Sequence, residues 1–331
     1  ENLFITEDVT DRVRLIYPEI APQLNQIFSA IKSEHIPDID ITAVVTVADD
    51  GGSTGRLRQF FNIPAMGDIR GVLIALAESE TLLGTLMDYR FETSVDIDNP
   101  EQDVLGHNLG NLILVALTES CGNFVEGIEI LSKVLNVKGN IVPSTSQVIT
   151  LFAIMEDGTI VKGETNIPKI ENRIRKVFYQ EKVRASEKAV QAILDADLII
   201  YGIGSVYTSI LPNVIIPEIK DALKESKAKK IYMCNAMTQP GETTSYAMED
   251  HVDALLDHGA TIDEVVIAKD KIPSKILKLY EEEGSVPVLS VRDTHPYKIR
   301  EVELLDFTKN LVRHDSMKIK QLVEELLKNE G

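Results

Sequence analysis

ITAVVTVADDGGSTGRLRQFFNIPAMGDIR, residues 41–70, decides the fold. It opens with a nearly unbroken apolar run rich in β-branched residues, which suits a strand buried on both faces of a parallel sheet. The run stops at Asp49 and Asp50, then at Gly51 and Gly52. Ser53 or Thr54 is placed to cap the helix that carries Arg56, Leu57, Phe60 and Phe61. The order is therefore strand, acidic glycine turn, helix. In open α/β sheets ligands bind off the carboxyl ends of strands. A second Gly-Asp, Gly67-Asp68, is followed by Arg70. The segment offers acceptors for hydroxyls or a cation, amides for a phosphate, and a guanidinium. An Asp-Asp-Gly-Gly turn alone is also a common connection, so its neighbours decide between the two readings.

The rest of the chain alternates in the same way. Helices are expected over 186–194, 214–224, 248–256, 274–283 and 316–327, and strands over 197–201, 230–234, 264–268 and 286–289. Strands separated by helices of this length imply right-handed crossovers and a parallel sheet. Residues 70–91 carry leucines and valines at helical spacing, and 92–104 read as a polar loop. Two further helices are expected after Asn111 and over 124–135. Over 137–180 the pattern changes. Two apolar runs flank Glu156-Asp157-Gly158, a hairpin signal, and 173–179 adds a strand. This is read as a small β-rich insertion in one α/β domain spanning 1–331. A first strand is placed over 13–17, VRLIY.

With 331 residues, Lys and Arg total 34 against 52 Asp and Glu, a formal net charge of −18. So acidic a surface disfavours nucleic acid and anionic membranes as partners, while leaving room for one phosphate in a local nest of amides and Arg. No apolar run approaches the ~20 residues of a membrane span. The N-terminal residues lack the pattern of a signal peptide. Cys121 and Cys234 read as reduced thiols, which places the protein in the cytoplasm.

Two more polar loops follow apolar strands. Gly202-Ile203-Gly204-Ser205-Val206-Tyr207-Thr208-Ser209 combines a tight turn with three hydroxyl donors suited to a phosphate, although Tyr207 occupies the third glycine's place in a dinucleotide fingerprint. Asn235, Thr238 and Gln239 are neutral groups suited to a base, ribose or sugar. Three such loops on one edge of a parallel sheet outweigh any one of them. His107 reads equally as a ligand contact, an acid–base group or a packing residue. The histidines do not assemble a zinc site. Asp49 or Asp50 could hold Mg²⁺ together with a substrate phosphate.

Along VTVADDGGSTGRLR the chain resembles the CofD-like family, in its gluconeogenesis-factor branch. The match continues through PAMGDIRGVLIAL, GHNLGNL, MEDGTIVKGETNIP, GIGSVYTSILPN, CNAMTQPGET and LVRHD. The resemblance implies a Rossmann-like α/β/α fold with a nucleotide-linked ligand at these strand ends. By motif, Asp49, Asp50, Gly51, Gly52 and Ser53 line the site, with Asp68 and Arg70, then His107 and Asn111. Gly202, Gly204, Ser205 and Tyr207 follow from the second loop, and Asn235 and Thr238 from the third. Arg313 is expected at a diphosphate and Tyr280 against a base.

One branch of the family transfers a phospholactyl group from a guanosine diphosphate donor. The branch this sequence resembles more closely binds UDP-sugars such as UDP-N-acetylglucosamine and serves gluconeogenic growth, cell-wall synthesis and cell shape. Cell-wall or regulatory proteins and a second copy of the chain are its expected partners. The family's usual first glycine loop is replaced by Pro18-Glu19-Ile20-Ala21-Pro22, and proline has no amide hydrogen to donate. The replacement either weakens nucleotide binding, leaving a scaffold, or moves the phosphate toward Gly202–Ser205.

Overall fold

The structure is a computed structural model that describes residues 2–7, 39–77, 82–91 and 104–328. Its strands are β1 (Asn2–Glu7), β2 (Asp40–Val45), β3 (Asn140–Pro143), β4 (Phe152–Met155), β5 (Ile160–Lys162), β6 (Ile174–Phe178), β7 (Leu198–Tyr201), β8 (Lys229–Met233), β9 (Glu264–Ala268), β10 (Lys298–Val302), β11 (Leu305–Asp306) and β12 (Arg313–His314). The principal described helices are α1 (Gly52–Phe61), α2 (Gly67–Leu76), α3 (Leu82–Asp88), α4 (Leu109–Cys121), α5 (Phe124–Val134), α6 (Glu187–Asp195), α7 (Pro217–Glu225), α8 (Met248–His258), α9 (Ser274–Glu282) and α10 (Ser316–Lys328).

Seven strands form one sheet in the order β10-β9-β8-β7-β1-β2-β3. Every neighbouring pair in it is parallel. The chain first builds outward from β1 to β3, then returns beside β1 with β7 and builds the other way. That reversal is the switch point at which doubly wound sheets bind ligands. All strands point the same way, so the loops after β2, β7 and β8 share one edge.

Burial explains why the central strands read so clearly. Leu198, Ile199, Ile200 and Tyr201 are all buried, as are Ala43 to Val45. Fully burying an aliphatic side chain contributes about 1.5–3 kcal/mol, so a strand covered on both faces has no place for polar alternation. The edges read poorly for the opposite reason. β3 is four residues long and ends in Pro143, which an edge strand tolerates. β10, KIREV, is exposed or half-buried throughout and carries the charges that protect an edge from further pairing.

Several expectations are corrected. The strand expected over 286–289 is absent; that segment makes only an isolated bridge between Pro287 and Met237. Pro287 has no amide hydrogen to continue a ladder. The last strand of the sheet is β10 instead. The antiparallel sheet β5-β4-β6 is present, but it starts at Phe152, because β3 belongs to the main sheet. The helical spacing over 70–91 is realised as two helices, α2 and α3. The expected strand over 13–17, the Pro18–Pro22 replacement and most of the 92–104 loop lie outside the described residues. The strand that takes the central place in the sheet is β1.

Candidate functional site

The acidic turn is built from its own backbone outward. The cap of α1 is Gly51, with no side-chain cap bond, so neither Ser53 nor Thr54 caps the helix as its sequence suggested. Asp49 Oδ1 accepts from the Gly51 amide at 2.8 Å, closing the turn. Asp50 Oδ1 accepts from the Thr165 amide at 3.0 Å and from its hydroxyl at 2.8 Å. Beneath them lies the buried Arg58. Its guanidinium donates to the Asp49 carbonyl at 2.5 Å, and also to the carbonyls of Ala48 and Ile149. Burial lowers the Arg58 pKa, and the nearby Asp49 and Asp50 carboxylates oppose that shift.

Ser53 is free to work elsewhere because it is not a cap. Its hydroxyl lies 3.0 Å from His107 Nδ1 and accepts from Asn111 Nδ2 at 3.2 Å. Asn111 Oδ1 in turn accepts from Arg70 Nε at 3.1 Å. Arg70 Nη1 donates to Asp88 Oδ1 at 2.5 Å. Ser53, His107, Asn111 and Arg70 are all buried, so α1, α2, α4 and the loop before α4 converge in one polar cluster. Asn108 caps α4 by accepting from the Gly110 amide at 3.0 Å, which fixes His107 just outside the helix. Asp68 sits buried in the first turn of α2, where the helix dipole favours a carboxylate. A Cβ on the preceding Gly67 would lie 2.8 Å from Asp49 Oδ2, so the two acidic turns abut.

The second loop, after β7, is held from within. Ser205 Oγ donates to Glu242, and Thr208 Oγ1 lies 2.9 Å from Ser205 Oγ and 3.2 Å from Glu242 Oε1. Asn235 Nδ2 donates to the Gly204 carbonyl at 3.1 Å, joining the second loop to the third. Tyr207 is buried inside the protein. Its hydroxyl donates to the Ile174 carbonyl at 3.2 Å and lies 2.9 Å from the Tyr246 hydroxyl. Burial pushes its phenol far above the ordinary range. Thr238 is likewise engaged, its hydroxyl accepting from the Val286 amide at 2.9 Å. The structure therefore places Tyr207 and Thr238 as supports of the loops.

Tyr280 and Arg313 come together beside the third loop. Tyr280 packs with Ala236 and Met237 in a small apolar cluster. Its hydroxyl accepts from the Val312 amide at 3.0 Å. The next residue is Arg313, whose Nε and Nη2 are buried without a hydrogen-bond partner among the described residues. Two buried guanidinium nitrogens with unmet hydrogen bonds are suited to an anion.

Among the described residues no group of three or more His, Cys, Asp or Glu is placed to hold a metal ion. One oxygen of Asp49 and one of Asp50 are already engaged. A Mg²⁺ ion at the pair would draw the rest of its octahedral shell from ligand phosphates and water. Arg58, Thr165 and Glu242 are missing from the residues read off the sequence. Thr165 and Glu242 stood inside quoted motifs, GETNIP and QPGET; for Arg58 the only signal was a basic residue on the buried face of α1.

Comparison with known proteins gives a consistent set of relatives. The family model described as 2-phospho-L-lactate transferase CofD matches residues 23–306. The gluconeogenesis factor of Bacillus subtilis is 42% identical over 301 residues, covering 89% of this chain and 92% of that protein. A putative gluconeogenesis factor of Thermotoga maritima is also 42% identical over 301 residues, covering 88% and 93%. A crystal structure of a UPF0052 family member from Bacillus halodurans superposes with a TM-score of 0.87 at 36% identity, covering 98% of this chain and 99% of that one. No described helix is long and apolar enough to cross a membrane.

Proposed function

The chain belongs to the CofD family, and from that premise we propose that it is a nucleotide-sugar-binding regulatory factor acting in gluconeogenic growth, cell-wall synthesis and cell shape. The observation that carries the reading is the half-buried Arg313, whose Nε and Nη2 are buried without a hydrogen-bond partner among the described residues. In a chain with a formal net charge of −18, a half-buried guanidinium with unmet donors beside the third strand-end loop is suited to a diphosphate. Tyr280 beside it supplies an aromatic face for the base. The neutral and acidic acceptors at Asn235, Asp49 and Asp50 suit ribose and sugar hydroxyls. The relatives named gluconeogenesis factors supply the physiological part of the proposal. UDP-N-acetylglucosamine is the ligand we assign.

A second reading is a transferase using a nucleoside-diphosphate donor and Mg²⁺. The adjacent Asp49 and Asp50, with Gly67 of the second acidic turn against Asp49, favour it, as does the family model's description. Calorimetric titration with UDP-N-acetylglucosamine, GDP and NAD, each with and without Mg²⁺, separates the two. Saturable, uridine-selective binding that Arg313→Ala abolishes is the expected result. A Mg²⁺-dependent preference for GDP would move the assignment to the transferase, and silence toward all three would sink both.

A further inference from the structure

The motif GETNIP, residues 163–168, has no role in either reading above. It forms a short 3₁₀ turn, Glu164–Lys169, that leaves the small antiparallel sheet. This turn reaches two of the strand-end loops. Toward the first, Thr165 donates two hydrogen bonds to Asp50 Oδ1, at 3.0 Å and 2.8 Å. A Cβ on Gly51 would lie 2.7 Å from Thr165 Cγ2, and one on Gly163 would collide with Asp50 Oδ2. Gly163 has φ +93°, so both its backbone and its contact require glycine. Toward the third loop, Pro168 presses its carbonyl against Gly241, also at positive φ, +84°, where a side chain would collide with it. The residue after Gly241 is Glu242, which accepts from Ser205 in the second loop. The three loops are thus linked in series through one turn.

We infer that Thr165 is a positioning residue of the ligand site: it fixes the Asp50 carboxylate and makes the antiparallel segment a wall of that site. The inference rests on the ligand reading above for its effect on affinity, and on geometry alone for its effect on the loop. One oxygen of Asp50 is spent on Thr165, so the carboxylate is held in one orientation. Without the hydroxyl only the Thr165 amide holds that oxygen, and the side chain regains part of its rotamer freedom, which must be reordered each time ligand binds.

The test uses the full chain with Thr165→Val, which keeps shape and amide but removes the hydroxyl, and Thr165→Ser, which restores it. Hydrogen exchange on the unliganded protein reads the loop directly. Exchange at residues 48–55 is expected to rise in Thr165→Val and return to the wild-type rate in Thr165→Ser, with the strands β7 and β8 unchanged. Titration with UDP-N-acetylglucosamine reads the site. Thr165→Val should weaken binding about tenfold, the scale of one hydrogen bond to a charged group. In an Asp50→Ala background the same change should cost nothing further, because Thr165 acts through Asp50. An unchanged loop in Thr165→Val, an acceleration spread through the whole sheet, or full additivity with Asp50→Ala would each overturn the inference. If the wild-type protein does not bind the nucleotide sugar, the ligand reading falls while the exchange comparison still decides this one.

Discussion

Acid should loosen the hairpin that carries Arg313, and His314 sets where this happens. His314 lies on β12 opposite Leu305 of β11 and is buried. Burial lowers its pKa to about 4, with a weaker opposing pull from Asp270. In the unfolded chain an imidazole titrates near 6.5. Between these values the unfolded state binds a proton that the folded state refuses. The stability His314 allows is therefore complete above pH 6.5 and is lost as pH falls toward 4. At pH 5 the linkage relation gives a loss of about 2 kcal/mol relative to pH 8. His314→Leu removes the titration. Neither ring nitrogen has a hydrogen-bond partner among the described residues, so leucine leaves no described acceptor or donor stranded. Urea unfolding followed by far-ultraviolet circular dichroism, at pH 8 and pH 5, measures the difference. Wild type should lose about 2 kcal/mol more than His314→Leu over that interval. His251 and His258, whose pKa values burial also lowers, contribute equally to both proteins and cancel. Equal losses in the two, to within about 0.5 kcal/mol, would refute the reasoning.

Two further perturbations probe the polar cluster. Arg58→Met removes the donor shared by the Ala48, Asp49 and Ile149 carbonyls; unfolding free energy should fall by about 2–4 kcal/mol in urea titration, since stranded buried acceptors cost more than the bonds themselves contribute. Asn111→Ala takes the acceptor from Arg70 Nε and a donor from Ser53; affinity for UDP-N-acetylglucosamine should drop about tenfold in calorimetry, with Asn111→Asp keeping the Arg70 contact and losing less.

The central sheet was legible because its strands are buried on both faces and its loops carry glycine and polar residues in short order. The stretch 41–70 reads as strand, turn and helix, and the structure sets Gly67 against Asp49 and joins Ser53 to Arg70 through Asn111. What stayed hidden has physical causes. β10 looks like a loop because an edge strand carries charge. Ser53 looks like a helix cap, yet Gly51 takes that place and leaves the serine to His107 and Asn111. Tyr207 stands in a ligand-type loop but turns inward, and no periodicity in an eight-residue loop reveals which way a side chain faces. Thr165 and Glu242 act across more than 30 residues of chain on Asp50 and Ser205. Such pairings exist only once the sheet has brought the loops to one edge.

The place of β1 has a consequence for how accurately the crevice can be built. Leu3 pairs with Ile41 on one side and with Leu198 on the other. The two halves of the sheet are therefore aligned with each other through a single six-residue strand. A slip of one residue along either seam would displace the acidic turn relative to the Gly202–Ser205 loop by about 3.3 Å, the rise of one strand residue. That distance is longer than a hydrogen bond. The register of β1 thus works as the ruler of the crevice, and the spacing of groups that never touch β1 is set by which of its residues each half pairs with.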